Sequence, residues 1–507
     1  MEESTPQPPS LWFSYRGVIV YLCLLCNLCL YLCRTCISVA IVYMYKDQQI
    51  QGILLSAFYV GYTISQIPGG WLASKYGAKL VLSLAVLLWS LVTILTVVFG
   101  TIPWILFILR LLVGLAEGVN YPCQMALNVA WSPHHERSTT WTFGVAGESA
   151  GTILALIGGP YLIHEYDSWK SVFIVSGGVG LIWLFLFLIL SSSKPEYHKF
   201  ISKAELNYIL KYRQEDDDDN NTTTTITKRD TVSSASIHNN NIDSSAVYVS
   251  LNGMVDDNDN RIVNDDNDQL NNDKTSENGV VSINNKLRIP WRKIICNRPF
   301  QMCVIAHMCY NYGYYVVLSW IADFFKTEFN ANYSKMGFVS MLPYALLMFS
   351  SPGAGVLADY LERKGFSTLS MRRIINTFAM VGASIGFIIV GFIAKSSITA
   401  EEKKNNLYLA ATVLAITMAT GGFMLGGVWS NFRDLSAKHA PILCGISNSM
   451  ASLPGIVGQS LTGAILKSSN NNWFIIFALA SGIEMFGALI FLFGADAKDQ
   501  QFDADDD

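Results

Sequence analysis

Apolar runs of near-membrane length recur along this chain, separated by short polar turns. A helix needs about 20 mainly apolar residues to cross about 30 Å of hydrocarbon. Segments that meet this requirement fall near 16–44, 52–73, 80–99, 104–130, 139–163 and 169–191, and again near 299–325, 335–358, 372–395, 406–431, 441–466 and 473–494. Six spans, a long polar tract and six more spans predict an all-α membrane protein of twelve transmembrane helices in two six-helix bundles. The expected divisions are a tail (1–15), a first bundle (16–191), a linker (192–298), a second bundle (299–495) and an acidic tail (496–507).

The tract at about 195–290 interrupts the pattern with stretches such as EDDDDNNTTTT (215–225). Its few apolar residues cannot offset the entropy of ordering, so it is expected to be largely disordered. At its edges, KAELNYILKYR (203–213) predicts an amphipathic helix and KLRIPWRK (286–293) leads into the seventh span.

Composition agrees with the spans. The 507 residues are 51% hydrophobic and 15% charged, against about 25% charged in soluble chains, and mean hydropathy is +0.32. The net charge of −4 gathers in the central tract and the C-terminal tail, so no face for nucleic acid follows from it. Cys23, Cys26, Cys29, Cys33 and Cys36 stack on one helix face. Without polar neighbours they read as polarizable packing residues rather than metal ligands. The acidic, proline-rich start is unlike a cleaved signal, so the first span is expected to be retained.

Lys and Arg placement sets orientation. With the N-terminus cytosolic, nineteen basic residues fall in the cytosolic loops and the flanks of the central tract. Eight lysines fall on the other, with no arginine: Lys46, Lys170, Lys326, Lys335, Lys395, Lys403, Lys404 and Lys467. Both termini and the tract are therefore expected in the cytosol. The sequons at Asn220 and Asn221 would then lie on the wrong side for glycosylation, and Asn332 on the right side, close to the membrane.

Ionisable residues inside the spans carry the functional signal. A charge at helix centre costs about 2.5–3.5 kcal/mol on an insertion scale and ordinarily faces a wet cavity or a partner. Arg34 in the first span, and Arg110 and Glu117 in the fourth, stand out, with Glu148 in the fifth as a packing or lining residue. Arg110 and Glu117 share a face two turns apart, about 10 Å along the axis, beside Gly114 and Gly118. Two cations and a proton-accepting carboxylate suit an anion carrier: arginine holds the anion and Glu117 titrates. A structural Arg34–Glu117 ion pair is the alternative.

In the seventh span, HMCYNYGYYVVLSW (307–320) places Tyr310, Asn311, Tyr314 and Tyr315 mid-span, where hydroxyls and an amide can line a cavity. QIPGGWLASKYGAK (66–79) and SPGAGVLADYLERKG (351–365) end the second and eighth spans alike, an internal repeat of scaffold and gating elements.

On LCRTCISVAI (32–41), FYVGYTISQIPGGWLASKYGAK (58–79), RLLVGLAEGVNYPCQMALNVAWSPHHERS (110–138) and GISNSMASLPGIVG (445–458), the chain resembles the anion:cation symporter branch of the major facilitator superfamily. That is the family of sodium–phosphate cotransporters, sialin and vesicular glutamate transporters. The fourth-span pattern R-x-x-x-G-x-x-E-G-x-x-x-P, followed by W-x-P-x-x-E-R-S, is the most specific. The resemblance implies the major facilitator fold and roles for Arg34 and Arg110 as membrane arginines and Glu117 as the proton-sensitive acid. Asn431 and Asp434 match polar family positions. Cys33 replaces the Asp that bacterial members carry there, and Leu55 and Tyr310 replace the His and Arg of vesicular glutamate carriers, which argues against a glutamate-type site. Ser74 stands where the wider superfamily has Asp.

The expected function is secondary active transport of an organic anion or phosphate by alternating access. Arg34, Arg110, Tyr310, Asn311 and Tyr314 would bind substrate and Glu117 would couple protons. Sodium coupling, potential-driven transport and a transporter-like sensor signalling through the tract are the alternatives. No enzyme constellation appears, and no cofactor beyond a coupling ion (H⁺, or Na⁺) is expected. The expected partners are a small anion and the bilayer, without nucleic acid, around a monomer in the plasma membrane or a lysosomal or vesicular membrane.

Overall fold

The computed structural model describes residues 10–133, 136–211, 290–436 and 439–502. The sequons at Asn220 and Asn221 and most of the polar tract lie outside these residues. Among the described residues the regular elements are all helical. The first bundle comprises α1 (Tyr15–Met44), α2 (Gln48–Tyr76), α3 (Ala78–Phe99), α4 (Pro103–Glu117), α5 (Asn120–Trp131), α6 (Arg137–Tyr166) and α7 (Lys170–Leu190). A short helix, α8 (203–211), follows where the amphipathic segment was expected. After α9 (Trp291–Cys296), the second bundle comprises α10 (Arg298–Phe329), α11 (Tyr333–Arg363), α12 (Thr368–Ser396), α13 (Ala400–Gly421), α14 (Val428–Leu435), α15 (Ala440–Ala451), α16 (Leu453–Ser468) and α17 (Trp473–Gly494).

Ten helices or helix pairs among the described residues are long and apolar enough to cross a membrane. The two remaining long helices, α6 and α10, have 30 and 32 residues. Three predicted spans are broken. The fourth divides into α4 and α5 after Glu117, where Pro122 lacks the N–H that the Gly118 carbonyl would otherwise accept. The tenth passes from α13 through a 3₁₀ turn, Gly422–Gly426, into α14. The eleventh divides into α15 and α16 at Ser452, ahead of Pro454.

Small residues set how closely these helices approach. A Cβ on Gly114 would lie 2.0 Å from the Phe58 carbonyl oxygen, and one on Gly61 would lie 2.1 Å from that of Leu111. Backbones of α2 and α4 therefore touch directly, which fixes the faces carrying Phe58, Arg110 and Glu117. Gly147 and Gly151 do the same for α6 against Leu24 and Leu28 of α1.

On the face bearing the termini, Glu205 of α8 accepts from the backbone N–H groups of Tyr15 (3.2 Å) and Arg16 (2.8 Å), meeting donors that the start of α1 leaves open. Arg16 pairs with Glu136 at 3.3 Å and lies over the Tyr208 ring. In the second bundle, Arg372 grips Asp434 through Nε (2.6 Å) and Nη2 (3.2 Å). Asn431 donates to the Asp496 carbonyl and accepts from Cys303. The polar positions Asn431 and Asp434 thus brace the end of this bundle.

The two bundles meet on the far face. Asp47 and Lys467 form an ion pair at 2.7 Å, Lys467 also donates to Gln49 at 3.2 Å, and Gln48 hydrogen-bonds Asn471. A Cβ on Gly52 would lie 2.6 Å from the Gln459 carbonyl oxygen, so α2 and α16 are in backbone contact there. Toward the terminus face, Gln66 Oε1 still accepts from Asn448 (3.2 Å) and Ser449 (3.1 Å). One residue further, Ile67 is 71% exposed.

Candidate functional site

Arg34 lies past the middle of α1 and is 5% exposed. Five rings surround its guanidinium carbon: Phe58 at 4.7 Å, Tyr59 at 5.2 Å, Tyr31 and Tyr62 at 5.3 Å, and Tyr315 at 5.4 Å. Four belong to α1 and α2 and the fifth to α10, so the cage closes across the bundle boundary. Each ring face attracts the cation by about 0.5–2 kcal/mol when desolvated. Rings accept no conventional hydrogen bonds, however, and Arg34 Nε and Nη2 have no hydrogen-bond partner.

Arg110 of α4 is buried, with its guanidinium carbon 5.5 Å from the same Phe58 ring and its Nε unpartnered. Glu117 is fully buried at the end of α4, and neither carboxylate oxygen has a hydrogen-bond partner. The Arg34–Glu117 alternative therefore finds no hydrogen-bonded pair. Two buried guanidinium groups and one buried carboxylate stand close to one another with N–H and oxygen valences unmet. Buried charges in that condition are costly. Planar arginine forks fit carboxylate or phosphate oxygens.

Glu148 has a partner: the Tyr121 hydroxyl donates to it. Cys26 donates to Asn120 at 3.4 Å and Cys33 to the Ser176 carbonyl at 3.4 Å, so these thiols sit within helix packing. Asn27, Asn120 and Gln124 form a buried amide cluster between α1 and α5.

The second-bundle candidates separate. Tyr314 stacks with Tyr310 at 6.2 Å and meets Tyr315 at 5.7 Å, continuing the ring cage from Tyr315, which itself lies 4.6 Å from Tyr59. Asn311 turns elsewhere. Its amide donates to the Tyr315 hydroxyl (3.2 Å) and to the Ala451 carbonyl (3.0 Å), at the break between α15 and α16. At that break the Gly455 N–H bonds the Ser452 carbonyl instead of that of Ala451, and Asn311 meets the latter.

Other buried polar groups were not singled out in the sequence. Glu484, mid-way along α17, is 1% exposed with Oε2 unpartnered, and the space left by Gly313 accommodates its Oε1. Asp323 of α10 is 3% exposed with Oδ2 unpartnered. His307 is buried against Ser447 (2.9 Å) and Trp429. Both acids carry the same signal as Glu117, an ionisable residue in an apolar span.

Several known proteins are similar to this chain. Sialin of Homo sapiens is 30% identical over 466 residues, spanning 91% of this chain and 78% of sialin. The chloroplastic sodium-dependent phosphate transport protein 1 of Arabidopsis thaliana is 27% identical over 94% of this chain and 78% of its own length. Among solved structures, a bacterial homologue of the human lysosomal transporter Spinster superposes with a TM-score of 0.64 at 13% identity, over 95% of this chain and 97% of that one. That likeness speaks to the fold. The sequence model of the Major Facilitator Superfamily matches residues 23–458, so this multi-pass membrane protein belongs to the Major Facilitator Superfamily.

Proposed function

We propose that the chain carries a small anion, organic or inorganic phosphate, across a membrane by alternating access, with a proton bound at Glu117. The observation that carries this reading is Arg34: a buried guanidinium held by rings that leave two of its nitrogens without acceptors, beside Arg110. An anion docking between the bundles supplies those acceptors. Tyr310 and Tyr314 extend the wall on the opposite bundle, and Asn311 acts through the α15–α16 break. The relatives named for sialin and for sodium-dependent phosphate transport support a small anionic substrate.

Glu117 can bind a proton in exchange with the anion, because its carboxylate faces the same two arginines without being locked to either. The polar tract and both termini lie in the cytosol, and the working unit is a monomer in the plasma membrane or a lysosomal or vesicular membrane. Uptake by the full chain in proteoliposomes, with phosphate, sialic acid, glutamate, nucleotides and sugar acids, tests this. Proton and sodium gradients are imposed separately. Accumulation driven by the proton gradient is expected. Accumulation driven by sodium alone reassigns the coupling ion, and no accumulation of any anion contradicts the reading.

A further inference from the structure

We propose that Asp323 is a second proton-binding site, built into the seal that the two bundles form on the far face, and that its proton is taken up as the seal shuts. The inference rests on the alternating-access reading but on neither Glu117 nor the identity of the anion. Asp323 stands six residues before the end of α10, on the second bundle. Its polar neighbour across the boundary is Gln48, the first residue of α2 on the first bundle. With the seal shut the side chain is 3% exposed and Oδ2 has no hydrogen-bond partner.

The neighbouring cation attracts it but is held elsewhere. Lys326, on the same helix, has its ammonium 3.5 Å from the centre of the Tyr43 ring and 3.4 Å from the Val42 carbonyl oxygen, both on α1. The other charged groups nearby are also engaged elsewhere. Asp47 pairs with Lys467 of α16 at the exposed rim, and Glu328 pairs with Lys403 of α13 at 3.8 Å inside one bundle. From α17, Trp473 brings only an indole N–H, which is donated to Thr327.

Rocking the bundles apart on this side separates α10 from α2 and gives Asp323 to water. Shutting them removes it from water, and an ionised carboxylate with one oxygen left unpartnered resists that step more than a protonated one. A proton supplied from the far side therefore favours the shut seal, and with it exposure of the central site to the terminus face. The rim pair does not provide this response. The Lys467 ammonium and the Gln49 amide hold Asp47 below the ordinary carboxylate range. That pair is complete above the ordinary value and is lost only as pH falls through the lower one, well under the window of interest.

The test is hydrogen–deuterium exchange of the full chain in lipid nanodiscs between pH 5 and 8. Protection factors are read for far-face segments 42–54 and 456–471. Wild-type protection should fall as pH rises, by up to about tenfold per pH unit. Asp323→Asn should hold these segments protected with a flat profile, while Asp323→Glu should restore the slope. His164→Gln, at the exposed end of α6, should leave it unchanged. A flat wild-type profile, or a wild-type slope retained in Asp323→Asn, overturns the assignment. A far face that never opens, in protein that moves no anion, contradicts the carrier reading itself.

Discussion

Arg34 illustrates how much a single side chain can reveal. A guanidinium in an apolar span is costly wherever it points, so its presence alone made it a candidate, as it did for Arg110 and Glu117. The cage around it was not legible in the sequence. Tyr31, Tyr59 and Tyr62 are ordinary residues of apolar helices, and only the docking of α2 on α1 and α10 turns their rings toward one cation. The partner of Asn311 was hidden for the same reason: an amide mid-span can line a cavity or meet a carbonyl at a helix break, and Ala451 lies 140 positions away. Arg34→Lys keeps the charge but loses the planar fork, and is expected to weaken anion binding by more than about tenfold, equivalent to about 1.4 kcal/mol. Equilibrium binding of a radiolabelled substrate measures this. Glu117→Gln should remove the dependence of uptake on the pH gradient while leaving anion exchange measurable. Wild-type uptake insensitive to pH would refute the proton assignment but not the fold.

At the scale of the helix, glycine positions decide the geometry. Gly114 touches the backbone at Phe58, the ring shared by Arg34 and Arg110. Gly114→Ala must therefore push α4 from α2, with an overpacking cost of about 1–3 kcal/mol. A lower thermal midpoint and reduced uptake are expected. Gly158→Ala, with nothing within 4 Å of the added carbon, should change neither. Helix existence was readable from apolar length, whereas the breaks after Glu117 and at Ser452 were not. Proline and glycine occur inside several spans, including Pro68 within the continuous α2.

At the scale of the molecule, the twelve-span count and the repeat of two bundles followed directly from hydrophobic length. Which face is shut did not, because contacts such as Asp47 with Lys467 join residues 420 positions apart. The helical body is a compact unit without residues 217–289. Removing them should leave uptake within about twofold of wild type if the chain is a carrier, since helix packing supplies its stability. Retained binding without turnover in either protein would favour the sensor instead.

The most direct measurement is proton-gradient-driven anion uptake into proteoliposomes by the wild-type chain and by Arg34→Ala, matched for folded protein by thermal unfolding. Uptake by the wild type and none by the variant is expected if buried arginine holds the cargo. Equal uptake by the two proteins would contradict that claim.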